Sequence, residues 1–168
     1  VYTMSTRTIY GIGLFATMLC LAACVKDQED VAQAAGITPS TCGIAGTRLQ
    51  ATVDGASYCA NAQVIATSDG STAMVTGVDL LGSSIILQLD TLAIGAFPMN
   101  EMENSALYMH TGTAFVMDPA HPGTLTITEH DTTTHSLKAA FEVILLNDLN
   151  GSTRVLNGDF DVTYTVDQ

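Results

Sequence analysis

Short segments of alternating apolar and polar residues, separated by turn residues, follow one another along the chain beyond residue 43. Strict alternation puts every second side chain on one face, which is typical of half-buried β-strands. In residues 124–131, for example, Leu125 and Ile127 alternate with threonines. No helix-length window has the apolar period of an amphipathic helix.

The pattern predicts about nine strands, at residues 49–53, 56–60, 73–79, 84–90, 106–110, 113–118, 124–131, 136–146 and 153–166. They are closely spaced and have no helical connections between them. We therefore expect an all-β fold, a single antiparallel β-sandwich or barrel-like domain.

Two turns specify strand pairs. Asp54-Gly55 is a strong signal for a two-residue hairpin, and it places Ala51 opposite Tyr58 with the apolar residues of both strands on one face. A similar turn at Asn150-Gly151 would place Phe141 opposite Phe160. The alternative is a turn at Asn157-Gly158, which leaves the stronger signal unused.

The N-terminus has the pattern of a secretory signal peptide, because the short basic start at residues 4–8 precedes an apolar stretch at 9–19. Met4 is the plausible initiator, so residues 1–3 are expected to lie upstream of the true start. The apolar stretch is shorter than the roughly 18 residues that a spanning helix needs.

The stretch closes with Leu21-Ala22-Ala23-Cys24, which resembles the lipobox of bacterial lipoproteins. The resemblance implies that residues 1–23 are a lipoprotein signal peptide and that the thiol of Cys24 carries the lipid. An ordinary signal peptide cleaved before a cysteine is the alternative. Residues 24–41, which are charged at first and then small and polar, predict a flexible tether before a β-rich domain at 42–168.

Charge excludes one class of partner. Five Lys and Arg against 17 Asp and Glu give a formal net charge of -12, and such acidity repels phosphate backbones, so we predict no nucleic-acid binding. The acidic residues 25–30 resemble the export signal of Bacteroidetes lipoproteins that face the cell exterior. A solvated tether explains the same composition.

Two of the four cysteines remain for the domain once Cys20 leaves with the signal peptide and Cys24 is acylated. Disulfides persist in exported proteins, so we predict a Cys42–Cys59 bond. Two free buried thiols are the alternative.

One segment has the ligand types that suit Cu(I), because thioethers and an imidazole are concentrated there. The candidate metal ligands are Met99, Met102, Met109 and His110. Methionine also fills gaps in β cores, and the segment has no CxxC or HExxH spacing. His121, His130 and His135 lie near turns beside Asp118 and Asp131, but no nucleophile motif accompanies them.

Four segments, residues 49–55, 94–97, 123–128 and 156–160, together resemble a family of small Bacteroidetes lipoproteins with a β-rich domain of unknown function. The resemblance implies a β-rich fold and brings no catalytic residues. We predict a lipoprotein of the outer membrane that faces the exterior, without cofactor or catalysis. Its expected role is a binding or structural module for a protein or glycan of the envelope. The alternative functions are copper handling by the Met/His segment and an enzyme with an unrecognised site.

Overall fold

Turns and loops separate the described chain into short strands. The computed structural model describes Cys42 and residues 46–166, and within these residues it has twelve strands and no helix. The strands are β1 (Thr47–Val53), β2 (Ala56–Cys59), β3 (Gln63–Ser68), β4 (Ala73–Val78), β5 (Ser84–Leu89), β6 (Gly95–Met99), β7 (Ser105–His110), β8 (Thr113–Met117), β9 (Gly123–Asp131), β10 (Ser136–Leu146), β11 (Thr153–Thr163) and β12 (Thr165–Val166).

The strands form two layers that are joined into one hydrogen-bonded sheet. Sheet I has the order β6-β9-β10-β11-β1-β2, and sheet II has the order β12-β3-β4-β5-β7-β8. The layers are linked where Leu145 and Leu146 of β10 pair with Met117 and Val116 of β8. Every pair is antiparallel except β12 with β3. The expected all-β, sandwich-like fold is confirmed.

One hydrophobic core receives the inward side chains of both sheets. Its largest fully buried side chains come from strands of both sheets and include Phe160, Leu49, Leu125, Ile85 and Leu87. Burial alternates along the strands, as in β10, where every second residue from Leu137 to Leu145 is buried. The alternation seen in the sequence is therefore the division between core and surface.

The two sheets approach closely at Gly77 of β4. A Cβ built on Gly77 would lie 2.7 Å from the Cβ of Ala60 and 3.2 Å from Leu49 Cδ2, so only glycine fits without a shift. Beside this point the hydroxyl of Tyr58 donates to the Gly77 carbonyl at 2.7 Å. Burial raises the pKa of the Tyr58 hydroxyl, and Asp79 adds to the effect, so the hydroxyl keeps its proton and stays a donor.

The first hairpin is confirmed in register. Ala51 pairs with Tyr58 and Val53 with Ala56. Asp54 and Gly55 both have positive φ, at 52° and 81°, which is the backbone that this two-residue turn requires.

The predicted Cys42–Cys59 disulfide is confirmed, with 5.0 Å between the two Cα atoms. Cys59 follows the buried Tyr58 on β2, so the two side chains point to opposite faces of the strand. The bond therefore holds Cys42 against the outer side of sheet I.

The expected count of about nine strands was too low. β3 escaped detection because Val64, Ile65 and Ala66 are consecutive apolar residues and hide the alternation. β6 is short and contains Pro98, which is unusual inside a strand. The predicted strand 153–166 is interrupted at Tyr164, whose N–H donates to the His135 carbonyl. The last residues of that predicted strand form β12, which pairs with β3 of sheet II.

The register of the last hairpin was also wrong. Phe141 pairs with Gly158, and Phe160 pairs with Ala139, a shift of two residues from the prediction. The reason is a six-residue loop in place of the two-residue turn, because Leu146 pairs with Thr153. The Asn147 side chain closes the loop by accepting from the N–H groups of Leu149 and Asn150 and donating to the Ala114 carbonyl. A shift of two keeps every side chain on its predicted face.

Gly158 leaves the room that Phe141 fills. A Cβ on Gly158 would lie 2.6 Å from Phe141 Cζ and 2.6 Å from the Gln50 carbonyl oxygen. The ring therefore lies across the glycine, and β10, β11 and β1 are held together at this point.

Candidate functional site

The four predicted metal ligands lie in different environments. Met99 on β6 is fully buried, whereas Met102 in the following loop is 89% exposed. Met109 and His110 are exposed at the end of β7. Asn104 ties the end of β6 to the start of β7, since its Nδ2 donates to the Pro98 carbonyl.

The four side chains do not converge. β7 runs from the loop that follows Met99 and Met102 to Met109 and His110 at its far end. At about 3.3 Å per residue, its six residues separate the two pairs by roughly 17 Å. Among the described residues, no three His, Cys, Asp or Glu side chains form a candidate metal group. Copper binding thus stays a prediction without support from this arrangement.

His110 belongs to the arrangement that most resembles a catalytic pair. Its Nδ1 lies 2.9 Å from Ser83 Oγ, and its ring stacks on Tyr108. Ser83 is only 2% exposed, however, and Asp79 accepts from the backbone N–H groups of Leu81 and Ser83. The pair therefore closes the β4–β5 loop and does not present a nucleophile to solvent.

The remaining histidines are local partners. His121 Nδ1 lies 2.8 Å from Asp118 Oδ2, and His130 Nε2 lies 2.9 Å from the Tyr164 hydroxyl. The His135 ring contacts the Tyr164 ring, with 5.3 Å between centroids. These contacts fix the loops at the ends of strands β8 to β11.

The outer face of sheet I carries a continuous row of polar side chains. The register aligns one residue from each of five neighbouring strands. In strand order, they are Ser57, Thr52, Asn157, Glu142 and Thr124. Neighbouring strands lie about 4.8 Å apart, so the row is roughly 19 Å long.

A second row runs beside the first and contains Gln50, Asp159, Ala140 and Thr126. We call the polar members of both rows the polar face. They are Gln50, Thr52, Ser57, Thr124, Thr126, Glu142, Asn157 and Asp159. Asp159 and Asp161, two residues apart on β11, both lie on this outer side.

Two shallow depressions mark the polar face. One, of about 310 Å³, lies over Gln50, Thr52 and Ser57, and the other, of about 300 Å³, lies over Thr124, Thr126 and Glu142. They meet at Asn157 and Gly158, which line both.

Ion pairs border the polar face on one side. Asp159 accepts from Arg48 Nη2 at 2.9 Å and from Gln50 Nε2 at 2.8 Å. Lys138 lies 2.9 Å from Glu129 and 3.8 Å from Asp161, and these carboxylates raise the pKa of Lys138. Half-exposed pairs contribute little to stability, but they hold the charged groups in place beside the rows.

The centre of the polar face has free hydrogen-bonding capacity. In the described part of the chain, no hydrogen bond occupies the side chains of Glu142 and Asn157. The carboxylate accepts, the amide both donates and accepts, and the neighbouring threonine hydroxyls do both. This set suits a ligand that is rich in hydroxyl groups.

Sequence reasoning did not find this site. The predicted register would have placed Glu142 beside Asp159, whereas the observed register places it beside Asn157. The alternation of Thr124 and Thr126 with core residues was the available signal for the edge of the face.

The predicted lipidation site, Cys24, and the signal peptide and tether at 1–41 lie outside the described residues. No helix in the described ranges is long and apolar enough to cross a membrane. Compared with known proteins, the chain matches no family model, no curated protein and no solved structure.

We expect the fold to lose stability as the pH falls from about 4 to about 2. The N–H groups of Thr72 and Ser71 lower the pKa of Asp69 from 3.8 to about 2. His121 lowers the pKa of Asp118, and the Thr133 N–H lowers that of Asp131. A carboxyl with a lowered folded-state pKa stabilises above its unfolded pKa, and this stabilisation is lost as the pH falls through the folded value.

Thermal unfolding as a function of pH measures this effect. The Asp69→Asn variant keeps an oxygen acceptor but does not titrate, so its Tm should fall less steeply than that of the wild type below pH 4. Parallel curves for the two proteins would contradict the role given to Asp69.

Proposed function

We propose that this protein is a lipid-anchored, non-catalytic binding module on the outer face of a bacterial outer membrane, and that its polar face binds a neutral glycan. The observation that carries the proposal is the row of polar side chains across sheet I, at whose centre Asn157 and Glu142 have no side-chain hydrogen bond among the described residues. The resemblance to small Bacteroidetes lipoproteins supports the lipid anchor and the outer-membrane location.

The disulfide supports export. A Cys42–Cys59 bond is expected to persist only in an oxidising compartment. The bond lies at the start of the described body, and Cys24 precedes it by a short, small and polar segment. A lipid on Cys24 would hold the body at the membrane, since acyl chains that enter a bilayer contribute about 0.8 kcal/mol per methylene.

The chemistry of the polar face favours an uncharged, hydroxyl-rich ligand. The net charge of -12 repels polyanions, and the chain contains no Trp on which a sugar ring could stack. Recognition would therefore depend on hydrogen bonds, with sugar hydroxyls donating to Glu142 and accepting from the Asn157 amide. Such contacts at a shallow face are individually weak, and many anchored copies on one cell would add avidity.

Anchoring is tested by mass spectrometry of the N-terminal peptide from the full chain, made in a bacterium with lipoprotein processing. We expect a diacylglycerol on the Cys24 sulfur at the start of the processed chain. Cys24→Ser removes the acyl site and should block processing, so its N-terminal peptide should carry no lipid and should still include the apolar stretch at 9–19. Cys20→Ser is the matched control and should remain anchored. An unmodified Cys24 thiol would remove the basis for anchoring.

Binding is tested with immobilised dextran, mannan and starch as neutral probes and hyaluronan as the anionic one. We expect binding to at least one neutral polymer and none to hyaluronan. Glu142→Ala should weaken binding about tenfold or more, because a hydrogen bond to a charged group is worth about 1.5 kcal/mol or more. Asn157→Ala should weaken it by a smaller factor, about fivefold, because a bond to a neutral amide is worth about 1 kcal/mol.

Gln88→Ala is the control for these variants, since Gln88 is an exposed amide on the outer face of sheet II. If Gln88→Ala weakens binding equally, or if none of the neutral polymers binds, the polar face is not a glycan site.

A further inference from the structure

The outer face of sheet II differs sharply from the polar face. Strands β3, β4, β5, β7 and β8 contain no Asp, Glu, Lys or Arg. Each of these strands has at least one large apolar side chain at an outward position. We call this set of side chains the apolar face. It consists of Ile65, Met74, Val78, Ile86, Leu107, Met109 and Val116.

The register makes these side chains neighbours. Ile65, Thr76, Ile86 and Leu107 form one row across four strands. Ile65 is 44% exposed and Met74 is 47% exposed. The apolar face continues past β8, because Val116 pairs with Leu146 of β10.

Charged residues lie at the rim of the apolar face. Asp69, Asp79 and Asp90 each come just after one of its strands, in the loops. An apolar centre with a polar, solvated rim is the arrangement found in protein–protein interfaces. The largest apolar patch of a typical monomer measures about 300–600 Å² and is often functional.

The outer face of sheet II, polar positions included, reaches the lower limit for an interface, which is about 1,000 Å² over both partners. Five strands about 4.8 Å apart, with residues rising about 3.3 Å, present roughly 500 Å² of flat area. The continuation over β10 and the height of the side chains add to this value. A standard interface covers about 800 Å² on each partner.

Charge decides between the candidate occupants. A lipid surface would be met by basic and interfacial aromatic side chains, and the outward positions of these five strands have neither. A basic partner would find carboxylates only at the rim, at Asp69, Asp79 and Asp90, and none on the five strands themselves. A second copy presents the same large apolar side chains, with uncharged polar ones such as Thr76 and Gln88 between them, so the face can pack on itself under twofold symmetry without opposing charges.

We propose that the apolar face is the interface of a homodimer, in which sheet II of one copy packs on sheet II of its partner. The rim carboxylates then stay in solvent, and the polar faces of the two copies point away from each other. This proposal does not depend on glycan binding or on the lipid anchor.

The test is crosslinking of the full chain in producing cells, with a bis-maleimide that reaches across two packed sheets. Thr76→Cys and Thr126→Cys are matched variants, since both threonines are half-buried at mid-strand on opposite outer faces. We expect a crosslinked dimer with Thr76→Cys and little with Thr126→Cys. No dimer with Thr76→Cys, or equal yields from both, would overturn the proposal.

A second substitution separates loss of the interface from loss of the fold. In the Thr76→Cys background, Ile65→Lys should lower the crosslinked fraction at least about tenfold, because an unpaired charge opposes burial. Ala96→Lys adds the same charge at an exposed position of β6 on sheet I, outside the polar face, and should leave the fraction unchanged. Retained protease resistance shows that the Ile65→Lys chain is folded.

A lipid occupant is the competing outcome. The chain from residue 25 onward, which has neither the apolar stretch at 9–19 nor the acyl site, is mixed with phosphatidylcholine vesicles and floated on a density gradient. We expect it to remain at the bottom. Flotation that Ile65→Lys abolishes would assign the apolar face to the membrane and overturn the homodimer.

Discussion

The architecture depends on the close contact of two β-sheets at Gly77. Leu49 and Ala60 meet β4 where it has no side chain, and the Tyr58 hydroxyl reaches across to the Gly77 carbonyl. A buried carbonyl without a donor would be costly, so this contact both fixes the distance between the sheets and orients them. Once the inner faces are committed to one core, the period of two along each strand determines which residues remain outside.

The two outer faces that result have opposite chemistry. Sheet I presents amides, hydroxyls and a carboxylate, with ion pairs around Arg48 and Lys138 at one side. Sheet II presents Ile, Met, Leu and Val and no charge on five strands. The chain has a net charge of -12, so two copies repel each other. This repulsion is weakest where the uncharged strands of sheet II face one another. The two proposals, ligand recognition and self-association, therefore concern separate faces of one small body.

The sequence was sufficient for local features and insufficient for long-range ones. Asp54-Gly55 predicted the first hairpin correctly because the turn itself sets the register. The turn predicted at Asn150-Gly151 gave the wrong register for the last hairpin, because the Asn147 side chain stabilises a longer loop. The longer loop depends on a contact with Ala114, which is far away in the chain. The fold class and the disulfide were predictable from alternation and from cysteine usage. The polar row was not predictable from the sequence, because its residues become neighbours only when the registers of five strands are known together.

The most direct test of the central claim is a double-mutant cycle of Gly77→Ala and Ala60→Gly, followed by urea unfolding. The added Cβ would lie 2.7 Å from the Ala60 Cβ, so Gly77→Ala should cost about 2 kcal/mol. Removing the opposing Cβ should relieve part of this cost, giving a coupling of about 1 kcal/mol. Additive effects of the two substitutions would mean that the sheets do not meet at Gly77, and would contradict the account.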